Sequence, residues 1–92
     1  MLKSVTASDR AEKRFKATFK DGTTTHFGLK NPKEGTFIDH GSKTKRSAYL
    51  ARHNPNEHWA QPKTAGSLAR HLLWGESKSL KENIAAFNRR FK

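Results

Sequence analysis

The segment from Trp59 to Gly75 is the stretch around which this chain is expected to organise its core, and it constrains what the remaining elements pack against. Ala65, Leu68, Ala69, Leu72 and Leu73 stand at i, i+3, i+4, i+7 and i+8, the apolar stripe of an amphipathic helix, with Trp74 beside it. Arg70 and His71 lie off that stripe. Pro62 disfavours helix at the residue before it, Thr64 can cap the first turn with its hydroxyl, and Gly75 is expected to close the last turn in the left-handed conformation. The chain is therefore organised around one central helix.

Upstream, Arg14-Phe15-Lys16-Ala17-Thr18-Phe19 alternates apolar and polar, Asp21-Gly22 supplies a turn, and Thr23-Thr24-Thr25-His26-Phe27 returns as a second strand. A strict two-residue loop pairs Phe19 with Thr24 and sends Phe27 to the face opposite Phe15. A three-residue loop with a bulge after Gly22 pairs Phe19 with Thr25 and Ala17 with Phe27, so the aromatics share one face; this is the preferred register. It sends His26 to the other face, beside Lys16, Thr18 and Thr24.

Gly28 to Gly35 reads as a loop, and Thr36-Phe37-Ile38-Asp39 is a candidate third strand, because three strands are more stable than an isolated hairpin. From Lys43 or Thr44 to His53 the residues suit a helix, with Ser42 as its cap and Pro55 forcing an end near Asn54. Ser79-Leu80-Lys81-Glu82 has capping-box spacing, and Leu80, Ile84, Phe87 and Phe91 repeat at helical intervals beyond it. The expectation is one domain over residues 1–92, of α+β class: a small antiparallel β-sheet, a hairpin plus a candidate third strand, packed by three C-terminal helices.

Charge narrows the choice of partner. Nineteen Lys and Arg oppose eight Asp and Glu for a net +11, spread from Lys3 to Lys92, so a polyanion is the expected partner. Nucleic acid, an acidic protein surface and anionic lipid all satisfy that, and a simply soluble basic domain is the plainer reading. The chain has no cysteine, which excludes disulfides and thiolate zinc sites as the source of stability. Its apolar runs, Leu72-Leu73-Trp74 among them, are far shorter than the roughly 20 residues of a bilayer span. Met1 to Lys13 is polar and mixed in charge, without the apolar segment of a secretory signal.

Candidate chemistry is sparse. His53, Glu57 and His58 form the tightest metal-like cluster, but Pro55 interrupts it, so hydrogen-bonding or surface histidines are the simpler reading and no metal or cofactor is expected. Asp21, Asp39 and Glu57 are the acids a metal-dependent nuclease would recruit, yet Asp21 is explained by its turn and the other two share no element. Phe15, Phe19 and Phe27 interleave with Lys16 and Lys20 as base-stacking residues do, although so small a domain needs its phenylalanines inside. Arg52 is expected to pair with Glu57 or Asp39 beneath Trp59, as a fastening of the loop before the central helix.

Several separated motifs stand in an order that is itself informative: Phe19-Lys20-Asp21-Gly22, His26-Phe27-Gly28, Phe37-Ile38-Asp39-His40, Tyr49-Leu50-Ala51-Arg52-His53, Glu57-His58-Trp59, Pro62-Lys63-Thr64-Ala65-Gly66 and Leu72-Leu73-Trp74. Over Arg14 to Phe91 the chain resembles an uncharacterised family of small basic proteins encoded by large DNA viruses of algae and amoebae. It departs from that pattern in a longer Leu29 to Gly35 loop, and in Gly41-Ser42 and Ala60-Gln61 where acids are usual. The resemblance implies a viral origin and carries over no catalytic residue.

Together these readings give a non-enzymatic, virion-associated protein, found in the particle and in host cytoplasm or nucleus during infection. It is expected to bind nucleic acid, double-stranded DNA in the first instance, through Lys43, Lys45, Arg46, Arg52, Arg89, Arg90 and Lys92, on phosphates and without strong sequence preference. The alternatives are a minor capsid or scaffold component docking on an acidic viral structural protein, and a metal-dependent nuclease.

Overall fold

Three antiparallel strands in the order β1-β2-β3 form the sheet of this protein, whose computed structural model describes residues 1–30, 35–53, 59 and 61–91. Strands β2 (Lys13–Phe19) and β3 (Thr24–Leu29) are the expected hairpin, with Phe15 opposite Phe27, Ala17 opposite Thr25 and Thr18 opposite Thr24. That pairing lies two residues from the expected register. The Phe19 N–H donates to the Thr23 carbonyl at 2.9 Å, so the loop is Lys20-Asp21-Gly22 with no residue added after it. Asp21 tightens it by accepting from the Thr23 N–H at 3.0 Å and hydroxyl at 2.7 Å, and Gly22 takes the positive φ of 90°. A shift of two preserves side-chain parity, so Phe15, Phe19 and Phe27 still share a face and His26 still shares the other with Lys16, which now lies directly opposite it in place of Thr18.

The third strand precedes the hairpin instead of following it. Strand β1 (Leu2–Ala7) pairs with β2, Leu2 opposite Phe19 and Ala7 opposite Phe15, while Thr36 introduces a one-turn helix, α1 (Phe37–His40). The Thr36 N–H and hydroxyl both donate to Asp39 Oδ2 at 2.8 Å, which closes the chain into a turn and carries Phe37 into a buried position. Strand β1 buries Leu2 alone among its six residues, so its sequence carries little of the alternation that marks a strand.

Helix α2 (Lys43–His53) starts where expected, its Lys45 N–H received by Ser42 Oγ at 3.2 Å. Helix α3 (Ala65–Leu68) is capped by Thr64, which accepts from the Ser67 N–H at 3.1 Å, and continues as a π-helical turn over Ala69–Leu73. There the Trp74 N–H reaches back five residues to the Ala69 carbonyl at 3.0 Å. Gly75 is outside the left-handed region expected for it; close approach is what requires glycine. A Cβ there would stand 2.4 Å from the His71 carbonyl and 2.7 Å from the Asn83 amide carbon. That proximity lets buried Asn83 donate to the Leu72 and Ser77 carbonyls at 3.0 and 2.8 Å.

Helix α4 (Leu80–Arg90) begins with Ser79 accepting from the Glu82 N–H at 3.2 Å. The reciprocal half of the expected capping box is replaced, because Ser77 Oγ receives the Ser79 N–H at 2.9 Å and is itself 2.6 Å from Glu82 Oε1. Leu68, Leu72 and Leu73 meet Phe19, Phe27 and Phe87 in one core, with Leu80, Ile84 and Phe91 packed against it. Asn88 of α4 accepts the Leu2 N–H at 2.7 Å, which fastens the last helix to the outer edge of the sheet. The architecture is α+β, and among the described residues no helix is long and apolar enough to cross a membrane.

Candidate functional site

Helix α2 contains no acidic residue, and its Lys43, Lys45 and Arg52 are all exposed. Beside it runs a groove of about 720 Å³, with Lys13 of β2 among its lining residues as well as Lys45 and Arg52 of α2. No described residue lining that groove is acidic. Aromatic stacking gives it a rigid wall: Tyr49 lies parallel to Trp74 at 4.4 Å and stacks on His53 at 4.2 Å, while His40 meets Trp74 edge-on at 5.5 Å. His40 Nδ1 accepts the Ser42 N–H at 2.9 Å, which leaves Nε2 as the protonated nitrogen of the neutral ring.

The seven cations singled out from sequence divide into separate groups. Lys43, Lys45 and Arg52 are carried together by α2. Arg46, on the same helix, is used differently: its Nε donates to the carbonyls of Trp74 at 3.1 Å and Gly75 at 2.9 Å, and its guanidinium lies 5.7 Å from the Phe37 ring. It fastens α2 to the end of the central helix. Arg89 and Arg90 are exposed on the last turn of α4 and border a different recess, together with Arg70, while Lys92 lies outside the described residues.

Two cations that sequence reasoning passed over are Lys13 and Arg70. Lys13 sits on a strand among alternating residues and becomes significant only once β3 brings the groove beside it. Arg70 is half-buried, with its guanidinium 5.2 Å from the Trp59 ring and Nη1 donating to the Trp74 carbonyl at 3.2 Å. Trp59 thus covers Arg70 rather than Arg52. It is held there by its carbonyl, which accepts from Ser67 Oγ and His71 Nε2, both at 3.1 Å. Burial first, then the charges of Arg70 and Arg90, lowers the His71 pKa against the opposing Trp59 hydrogen bond.

The acids considered for catalysis are engaged elsewhere. Asp39 receives both terminal nitrogens of Arg14, at 2.8 and 2.7 Å, and that guanidinium above all holds its carboxyl well below the usual range. This removes Asp39 as a partner for Arg52; Glu57 and His58 lie outside the described residues. Asp21 pairs with Lys63, which in turn lies 5.3 Å from the Phe19 ring, and its pKa is likewise lowered, chiefly by that lysine. Phe19 and Phe27 are buried, so their rings serve the core. Among the described residues no three His, Asp or Glu side chains are placed to hold a metal ion.

Residues 3–53, which hold the sheet, α1 and α2, match the model of a family of unknown function, DUF5754. No curated protein and no solved structure matches the chain.

Proposed function

The chain belongs to DUF5754, a family of unknown function, and we propose that it binds nucleic acid through phosphate contacts, with little sequence preference. The observation that carries this reading is a groove with no acid among its described lining residues, beside an acid-free helix, lined by Lys13, Lys45 and Arg52 with Lys43 on the same helix. Cations in a cleft without carboxylates focus a positive potential, and a flexible or helical phosphodiester chain is the common polyanion that offers charges at regular intervals. Such contacts position a protein on nucleic acid without reading bases. The two ion pairs among the described residues, Arg14 with Asp39 and Lys63 with Asp21, consume none of these four cations.

Binding, as opposed to hydrolysis, is supported by the commitments of Asp21 and Asp39 to Lys63 and Arg14. The resemblance to proteins of large DNA viruses adds the proposal that the polyanion is a packaged genome. Copurification with shell proteins after nuclease treatment would instead favour docking on an acidic capsid surface. The direct test is a fluorescent duplex titrated at several salt concentrations, with the DNA checked for integrity afterwards. Replacing Lys43, Lys45 and Arg52 together by Gln is expected to flatten the log-affinity against log-salt slope by about 3. An unchanged slope would remove α2 as the binding element.

A further inference from the structure

A second recess, of about 380 Å³, lies between the π-helical turn and α4, lined by Arg70, Arg89 and Arg90 among others. Its construction is unusual in its charge. Arg46 Nε and Arg70 Nη1 both donate to one neutral oxygen, the Trp74 carbonyl, at 3.1 and 3.2 Å. Two guanidinium groups from different helices are therefore held side by side, and among the described residues neither has a carboxylate within ion-pair distance. Arg70 Nε is buried with no partner among the described residues. Burial first, then the charge of Arg46, depresses the Arg70 pKa against the opposing pull of Glu76, and Arg90 adds a smaller repulsion of its own.

Like charges gathered at a half-desolvated site cost free energy that an anion would offset. The guanidinium fork is suited to a tetrahedral oxyanion, because its parallel N–H groups can meet two oxygens at once. The π-helical turn that carries Arg70 and His71 is itself a departure from regular helix, of a kind frequent at functional sites. From these observations we infer that the recess beside Arg70 and Arg90 is a binding site for a phosphate-sized oxyanion, with Arg46 adding long-range attraction. Glu76 and Glu82 also line it and oppose the attraction. The recess shares no lining residue with the groove beside α2, so the two can be tested separately.

Calorimetric titration of the full chain with inorganic phosphate, at ionic strength held constant with sodium chloride, tests it. One saturable site is expected. Arg90→Gln, at an exposed position that leaves the fold intact, and Arg70→Lys, which keeps the charge but loses the fork, should each weaken binding about ten-fold. Glu76→Gln, also exposed, should tighten it two- to three-fold, on the order of one removed repulsion. The variant with Lys43, Lys45 and Arg52 changed to Gln should bind phosphate as the parent does while losing affinity for DNA. Absence of saturation up to about 10 mM phosphate, a concentration corresponding to negligible affinity, would overturn the inference. So would phosphate binding that survives Arg90→Gln and Arg70→Lys, or that is lost with the α2 cations.

Discussion

Asp39 joins two elements with one carboxylate, receiving both terminal nitrogens of Arg14 from the sheet and the backbone N–H of Thr36 at the start of α1. Its carboxyl is held below the ordinary range, so the folded chain takes up this proton less readily than the unfolded one. The resulting stability is present above the ordinary carboxylate pKa and is lost as pH falls through and below it. Asp39→Asn should cost about 1 kcal/mol at pH 7, a modest figure because the pair is partly exposed. In urea titrations the gap from the parent should narrow at pH 3; an equal gap at both pH values would contradict the assignment. His71 acts in a higher window. Its pKa is lowered, so the unfolded chain protonates first, and stability should decline as pH falls below about 6.5, with His71→Asn flattening that limb. Gly75→Ala should cost about 2–3 kcal/mol by driving a methyl group into the His71 carbonyl and Asn83, read as a lowered denaturant midpoint. The caps by Thr64 and Ser79 were legible in sequence, because a cap needs only its own next three residues. The pairings of Arg14 with Asp39 and of Trp59 with Arg70 were not, since each joins elements whose mutual placement no local pattern encodes.

At the scale of elements, periodicity identified what it could act on. The central helix and α4 have apolar positions at helical spacing, α2 has its cap at Ser42 and a proline beyond its end, and the first strand of the β2–β3 hairpin alternates; all four elements are present. Strand β1 was hidden because an edge strand with one buried residue resembles a polar tail. Thr36 to Asp39 resembled a strand because β-branched and aromatic residues are enriched there, and the Asp39 capping bonds decided for a helical turn instead. The hairpin register shows the same division: the parity came from the aromatic pattern, whereas the count of loop residues came from the hydrogen bonds of Asp21. Arg46 illustrates the limit for a charged face, since one cation of the α2 run is recruited to cap the central helix. Arg46→Gln should therefore lower stability by about 1 kcal/mol through the carbonyls it leaves without their donor, while changing the DNA salt slope less than Lys45→Gln does. The reverse order of effects would place Arg46 in the interface.

Over the whole molecule, a net charge of +11 on 92 residues is balanced by few internal pairs among the described residues, so much of the positive charge is available to a partner. The fold distributes that charge into two places of different character: an open groove beside α2 with no acid among its described lining residues, suited to a chain of phosphates, and a recess beside Arg70 suited to one. Sequence indicated the sign and size of the charge, and it placed Lys43, Lys45 and Arg52 on one helix. The groove arises only when Lys13 and α2 are brought around Tyr49 and Trp74. The measurement that bears most directly on this account is the salt dependence of duplex DNA binding by the full chain, with and without magnesium. Intact DNA and a log-affinity against log-salt slope of about −3 or steeper are expected, as three or more phosphate contacts require. No binding near physiological salt, or a slope close to zero, would contradict it.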